Sequence, residues 1–158
     1  MKRAMGLGFL IAALSVVASP QPTPQSARNK TAANGTQGQA APPSASINPA
    51  TLDFGDQVAK RSSKAQRVTV TNSGGKPLYV NSAVIDGDNK ADFVMTHDTC
   101  TGSTVNAGKS CVIDVVFTPA VNERRRAVLV ITDNAIDSPQ KVTLAGTGIN
   151  SADVPPRE

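Results

Sequence analysis

From Ile47 onward the chain consists of short runs in which apolar and polar residues alternate, and this pattern constrains the fold more than any other feature. In the segment RVTVT (67–71), Val68 and Val70 share one side. A later run places four residues on one side in the same way: Cys111, Ile113, Val115 and Phe117. Because successive side chains of a β-strand point to opposite faces, these runs predict strands with one buried face.

Seven such runs are separated by clusters of turn-forming residues such as Asn72-Ser73-Gly74-Gly75 and Asp133-Asn134-Ala135. The runs span 47–55, 65–72, 77–85, 92–96, 110–117, 126–132 and 140–146. Short strands at close spacing, with no helical periodicity between them, predict an all-β domain. We expect a seven-stranded antiparallel immunoglobulin-like β-sandwich with Greek-key connections.

The first 18 residues have the layout of a secretory signal peptide. Lys2 and Arg3 form a cationic start, residues 4–18 are apolar or small, and Val16 and Ala18 suit a cleavage site. The alternative is an uncleaved anchor, but fifteen helical residues span only about 22 Å of a hydrocarbon core of about 30 Å. We therefore expect an exported protein, periplasmic or extracellular, that is not a transmembrane protein after signal removal.

Residues 19–46 are mostly Pro, Gln, Ala, Ser and Gly, with almost no large apolar side chain. Such a segment buries too little surface to offset the entropy lost on ordering, so it predicts a disordered linker. The tail, 149–158, is expected to be disordered as well. The folded domain is thus expected at 47–148.

The net charge of +4 does not describe this domain. Residues 47–148 hold eleven Lys and Arg against ten Asp and Glu, a difference of +1. A nearly neutral domain lacks the broad basic surface of a nucleic-acid binder, and four aromatic residues are too few for a base-stacking platform. We expect no nucleic acid among the partners.

Two cysteines, Cys100 and Cys111, lie within the predicted domain. In an exported chain an even number of cysteines favours a disulfide, and two free thiols are the alternative. A structural metal site usually needs four ligands, and His97, the only histidine, cannot complete one with two sulfurs. We expect no metal and no cofactor.

Four fragments carry a resemblance to a known family: ATLDFGDQ (50–57), RVTVTNSGGKPLYV (67–80), GKSCVIDVVFTP (108–119) and RRAVLVITDNAIDSPQKVTLAGTG (125–148). Together they resemble the abnormal-spindle/hydin (ASH) type of Ig-like domain, found in bacterial exported proteins labelled "choice-of-anchor D". The resemblance implies a Cys100–Cys111 clasp and a role in protein interaction or scaffolding, with no catalytic motif. We assign Asn72 and Gly74 to a turn in which positive φ is expected.

Candidate catalytic and metal-binding residues are few. His97 has neither a nucleophile motif nor an orienting acid, since its neighbour Asp98 would point to the opposite face of a strand. We expect a surface histidine and no catalytic residue. Asp86-Gly87-Asp88-Asn89, with Asp92, predicts a polar turn; a partial calcium site is the alternative, although His97 stands where a full calcium loop has its bidentate Glu.

A candidate interaction patch consists of Arg124, Arg125, Arg126, Lys60, Arg61 and Lys64. If the fold brings the two basic segments to one end, they offer a docking surface for an acidic protein, an anionic lipid or a polyanion. The alternative is a solvated turn, or charges that discourage pairing of an edge strand.

We expect a non-enzymatic exported module for protein–protein interaction or structural support at the cell envelope, whose partner is an unidentified protein or envelope component. The first alternative is a periplasmic chaperone or assembly protein that pairs with a β-strand of its partner. A more remote alternative is a small periplasmic hydrolase or metal-dependent enzyme.

Overall fold

A computed structural model describes residues 39–153. The predicted signal peptide, the predicted linker as far as residue 38 and the last five residues of the tail lie outside the described residues. Within 39–153, no helix is long and apolar enough to cross a membrane.

The described residues form nine strands and two short 3₁₀ turns. The strands are β1 (Ala45–Asn48), β2 (Thr51–Val58), β3 (Gln66–Asn72), β4 (Leu78–Asp86), β5 (Phe93–Asp98), β6 (Thr104–Val105), β7 (Ser110–Phe117), β8 (Arg124–Asp133) and β9 (Gln140–Ile149). The 3₁₀ turns are Lys90–Asp92 and Ser151–Asp153.

Two sheets make up the sandwich, and the predicted all-β fold is confirmed. The strand orders are β1-β3-β7-β5 and β2-β9-β8-β4-β6. All pairs are antiparallel except β2 with β9, which is parallel, so the antiparallel prediction is wrong for this one pair. β2 is therefore an edge strand of the second sheet, next to β9.

The predicted count of seven strands is not what the described residues show. The run 47–55 is two strands in different sheets, because the chain turns at Pro49 and Ala50 and leaves the first sheet for the second. The two-residue strand β6 is the other addition. Each of the remaining six predicted strands overlaps one observed strand.

Residues 41–44, which the sequence assigns to the linker, run beside the turn between β3 and β4. The N–H of Gly75 donates to the carbonyl oxygen of Ala41 at 3.1 Å, and that of Ser73 donates to Ser44 at 2.8 Å. Order therefore begins before residue 47. At the other end, β9 runs to Ile149 and a 3₁₀ turn follows, so order extends past residue 148 as well.

The turn between β3 and β4 requires Gly74 and Asn72 for reasons other than positive φ, which neither residue adopts. A Cβ on Gly74 would overlap the carbonyl oxygen of Pro42, so the close approach of residues 41–44 demands glycine. Asn72 is fully buried, and its side-chain amide donates to the carbonyl oxygens of Lys76 and Val105 at 2.8 and 2.9 Å. This side chain thereby satisfies one main-chain carbonyl in the segment before β4 and one in β6.

The core lies between the sheets and follows the predicted alternation. Inward-facing residues of the long strands are almost without exposed surface: Val68, Val70, Ile113, Val115, Phe117, Leu129, Ile131, Val142 and Leu144. Burial of each such side chain contributes roughly 1.5–3 kcal/mol to the free energy of folding.

Three aromatic rings close one end of this core. The ring centroids of Phe93 and Phe117 are 4.8 Å apart, and Phe54 lies 5.7–5.9 Å from both. A Cβ on Gly146 would lie 2.5 Å from Cε1 of Phe117, so β9 is glycine where it passes the ring. We call this end, where β2, β7 and β9 finish and β8 begins, the aromatic end.

Candidate functional site

The connection between β2 and β3 is hydrogen-bonded to the end of β7 and to the chain that follows it. The N–H of Lys60 donates to the carbonyl oxygen of Pro119 at 2.8 Å, and the N–H of Ser63 donates to that of Phe117 at 2.8 Å. This braced connection carries three exposed cations: Lys60, Arg61 and Lys64.

The arginine run begins β8, and strand alternation separates its members. Arg124 and Arg126 are exposed on the outer face of the sheet. Arg125 shares its side of the strand with Ala127 and Leu129, which are buried in the core. The guanidinium of Arg125 therefore points into the aromatic end instead of into solvent.

Arg125 forms an ion pair with Asp92 that is almost enclosed by protein. Its Nε lies 2.5 Å from Oδ2 of Asp92, and the two side chains are 17% and 6% exposed. A second, exposed carboxylate, Glu123, lies 3.3 Å from Nη1. Because Asp92 lies in the turn before β5, the pair joins this turn to β8. The main-chain carbonyl of Asp92 also accepts the N–H of Thr118, which ties the same turn to the chain that follows β7.

The structure brings the two predicted basic segments to one end, but it removes Arg125 from the patch. Val58, at the end of β2, lies opposite Ile149 of β9, and Arg124 lies opposite Thr147 only two residues earlier. Among the described residues, the ion pairs involve none of the five remaining cations. We call these five the basic end: Lys60, Arg61, Lys64, Arg124 and Arg126.

The sequence contained the signal for the inward position of Arg125. Residues 127, 129 and 131 were assigned to one core-facing side, and extending that alternation by one step reaches 125. The predicted strand begins at 126, whereas β8 begins at Arg124, so the prediction leaves Arg125 outside the strand. The carboxylate that receives Arg125 comes from a segment 33 residues away, and nothing local in the sequence indicates it.

Cys100 and Cys111 form the disulfide that the family resemblance implies, and the alternative of two free thiols is wrong. Both residues are buried, and the bond joins the segment after β5 to the start of β7. Asp98 shapes this turn, because its Oδ1 accepts the N–H groups of Cys100 and Thr101 at 2.7 and 3.1 Å. Burial opposes ionisation of Asp98, but hydrogen bonds from Thr101 and Cys100 outweigh it and lower the pKa of the carboxyl.

A surface ion pair crosses the outer face of the first sheet. Arg67 binds Asp114 through two hydrogen bonds of 2.7 and 2.8 Å. The hydrogen bond from Arg67 is the main cause that holds the pKa of Asp114 below its ordinary value; burial opposes it, and the charges of Arg67 and His97 assist. His97 lies exposed beside Asp114 on the next strand, where the sequence predicted a surface histidine.

The acidic segment after β4 forms a turn, as predicted. Oδ1 of Asn89 accepts the N–H of Arg126 at 2.9 Å, and Asp86 lies 3.7 Å from Lys90. The carboxylate of Asp92 belongs to the ion pair with Arg125. Across residues 39–153, no group of three His, Cys, Asp or Glu side chains is placed to hold a metal ion.

The sequence model of one family matches residues 41–141, which is more than half of the chain. That family is described as "Abnormal spindle-like microcephaly-assoc'd, ASPM-SPD-2-Hydin", or ASH. This chain belongs to the ASH family. The match begins at residue 41, where the structure finds the chain ordered against the turn between β3 and β4.

Solved structures show the same fold as this ASH domain. A protein of unknown function from Porphyromonas gingivalis W83 aligns with a TM-score of 0.56 and 16% identity, over 72% of this chain and 51% of that one. This chain thus spans about half the length of that protein. The ASH / PapD-like domain 7 of human CEP192 aligns with a TM-score of 0.50 and 10% identity, over 89% of this chain and 99% of that one. No curated protein matches the sequence.

Proposed function

We propose that this ASH domain is an exported, non-enzymatic interaction module whose docking surface is the basic end. The proposal depends on the position of five exposed cations at one end of the sandwich. They lie on the connection between β2 and β3, which is hydrogen-bonded to the chain after β7, and at the start of β8, which is paired with β9. The signal-peptide pattern and the Cys100–Cys111 bond support the exported location, because disulfides persist in oxidising compartments.

The basic end suits an acidic protein surface. Arg124 and Arg126 project from the start of β8, which is paired there with β9, and the N–H of Arg126 also donates to Oδ1 of Asn89. Lys60 and Arg61 lie on a connection that is hydrogen-bonded to Pro119. Because the backbone under these side chains is already ordered, binding loses less conformational entropy than it would from a mobile loop. Complementary charge would accelerate association, and salt would weaken it.

The experiment compares two double charge reversals in the full exported chain. Arg124→Glu/Arg126→Glu changes the basic end, and Lys76→Glu/Lys109→Glu makes the same change of net charge at the opposite end of the domain. Each protein is used to recover binding partners from the native host at low and at high salt. We expect the wild type and the lysine control to retain a partner at low salt and the arginine variant to lose it.

Equal recovery by all three proteins would refute the role of the basic end. Recovery that does not fall with salt would refute the electrostatic part of the proposal. Saturable turnover of a substrate by the purified chain would refute the non-enzymatic assignment.

A further inference from the structure

One edge of the second sheet is left without a strand along most of its length. β4 pairs with β8 from Val80 to Asp86, whereas β6 covers the other side only at Leu78 and Tyr79. The backbone of Val80 is bonded to the connection at 102–103. Within the part of the chain that the structure describes, no strand lies beside residues 82–86 on that side.

The other long edges carry features that discourage pairing. β2 has an irregular register between Asp53 and Asp56, whose two exposed carboxylates also lie on this edge strand. β5 is irregular between Met95 and His97. β1 has only four residues. By contrast, residues 82–86 of β4 keep regular register with β8, and positions 82–85 contain neither a charge nor a proline. Edges of this kind pair readily with another strand.

An apolar strip adjoins the open edge on the outer face of the sheet. Val84 is 51% exposed and lies opposite the half-buried Val130. A cleft of about 210 Å³ continues from there, lined by Asp86, Gly87, Val128, Val130 and Lys141. A strand added beside β4 would cover Val84 as well as satisfy the main-chain groups of the edge.

We propose that the added strand is β4 of a second copy of this chain, paired antiparallel about a two-fold axis at Val84. In this register Val84 faces Val84 of the other copy, Ala83 faces Ile85, and Ser82 faces Asp86. The apolar strip then continues from one molecule into the next. The carboxylate of Asp86 lies opposite a hydroxyl instead of a second carboxylate, so the symmetric pairing brings no like charges face to face.

Neighbouring registers fit less well. An axis at Ala83 would pair Asp86 with Val80, whose backbone is already bonded to Ser103 and Gly102. An axis at Ile85 would place Asp86 against Val84 and bring Gly87, beyond the end of the strand, into the ladder. The axis at Val84 uses all five free residues, and it occupies none that is already bonded on that side.

The dimer has a consequence for the basic end, which rests on the proposed function. Paired strands of the two copies run in opposite directions, so the basic ends point to opposite poles of the ten-stranded sheet. One dimer would thereby connect two acidic partners.

Sedimentation velocity over a concentration series tests the dimer in the full chain. Val84→Lys places two like charges face to face at the axis, and we expect it to weaken dimerisation at least tenfold. Val94→Lys is the matched control, because Val94 is 54% exposed on the outer face of the other sheet, and it should dimerise like the wild type. Arg124→Glu/Arg126→Glu should also still dimerise, which separates this test from that of the basic end.

Cysteine cross-linking tests the register without relying on weakened association. Val84→Cys should form a covalent dimer on mild oxidation, since directly opposed Cβ atoms lie about 4.5–5.5 Å apart. Ser82→Cys should not, because the two copies of residue 82 are separated by about 13 Å along the strands. A wild-type chain that remains monomeric at every concentration overturns the proposal. Equal dimerisation of Val84→Lys and wild type, or equal cross-linking of the two cysteine variants, overturns it as well.

Discussion

Replacement of Arg125 by Met should destabilise this domain strongly, although the residue belongs to a run of three arginines at the surface end of a strand. Asp92 is 6% exposed, and its carboxylate is paired with the guanidinium of Arg125. Arg125→Met keeps most of the side-chain volume and removes the charge. The carboxylate of Asp92 is then left buried without a counter-charge.

The expected magnitude follows from the burial of the pair. Removing one partner of a buried ion pair costs about 3–5 kcal/mol, because the remaining charge has lost its hydration without compensation. The exposed contact with Glu123 adds at most a few tenths of a kcal/mol. For a domain of this size about 4 °C of Tm corresponds to 1 kcal/mol, so Tm should fall by roughly 12–20 °C. This is a large part of a total stability of about 5–15 kcal/mol.

Controls come from the same run of sequence. Arg124→Met and Arg126→Met remove exposed guanidinium groups that form no ion pair with another described residue, so each should change stability by less than about 0.5 kcal/mol. The double variant Asp92→Asn/Arg125→Met should recover part of the loss, because a neutral amide is less costly to bury than a carboxylate. Thermal unfolding followed by far-UV circular dichroism measures all four. If Arg125→Met melts together with Arg124→Met, the inward position of Arg125 contributes nothing to stability and the reasoning is refuted.

Three further predictions concern the clasp, the surface ion pair and the aromatic end. Replacing both Cys100 and Cys111 by Ser opens a loop whose ends are 11 positions apart, which should cost about 3 kcal/mol of unfolding free energy; an unchanged Tm would contradict the stabilising role of the bond. Asp114→Asn removes the acceptor of Arg67, and since the folded pKa of Asp114 is the lower one, the stabilisation exists above about pH 4 and is lost as pH falls through the folded pKa. The difference in Tm between wild type and Asp114→Asn should therefore be present at neutral pH and vanish in strong acid; a difference independent of pH would contradict this. Gly146→Ala forces a methyl group against the neighbouring aromatic ring and should cost roughly 1–3 kcal/mol in urea unfolding, and a neutral result would show that the ring moves freely.

The fold was largely predictable because its main determinant is local. Val68 and Val70, or Ile113 and Val115, alternate with polar residues within a few positions, and the alternation alone tells which side chains face the core. Turn clusters then separate one strand from the next. The ASH resemblance added the pairing of the two cysteines, which the bare count of cysteines leaves open.

The division of the first predicted strand at Pro49 could not be predicted from the local sequence, because its causes lie elsewhere in the chain. β1 pairs with β3, and β2 pairs in parallel with the last strand, almost a hundred residues later. A period-two pattern looks the same in either sheet. The end of the linker was misplaced for a related reason: residues 41–44 have a low-complexity composition, yet they bind to the turn that contains Gly74.

At the candidate site, composition identified the cations, and their roles followed from contacts between distant segments. The alternation of β8 already separates Arg125 from Arg124 and Arg126, since neighbouring residues of a strand face opposite ways. Its partner Asp92, the gathering of both basic segments at one end, and the open edge of β4 depend on which segments meet after folding. The alternation of apolar and polar residues in a strand indicates whether each side chain faces the core or the solvent. Which residue a side chain contacts depends on how the strands pair, and strand pairing depends on the whole chain.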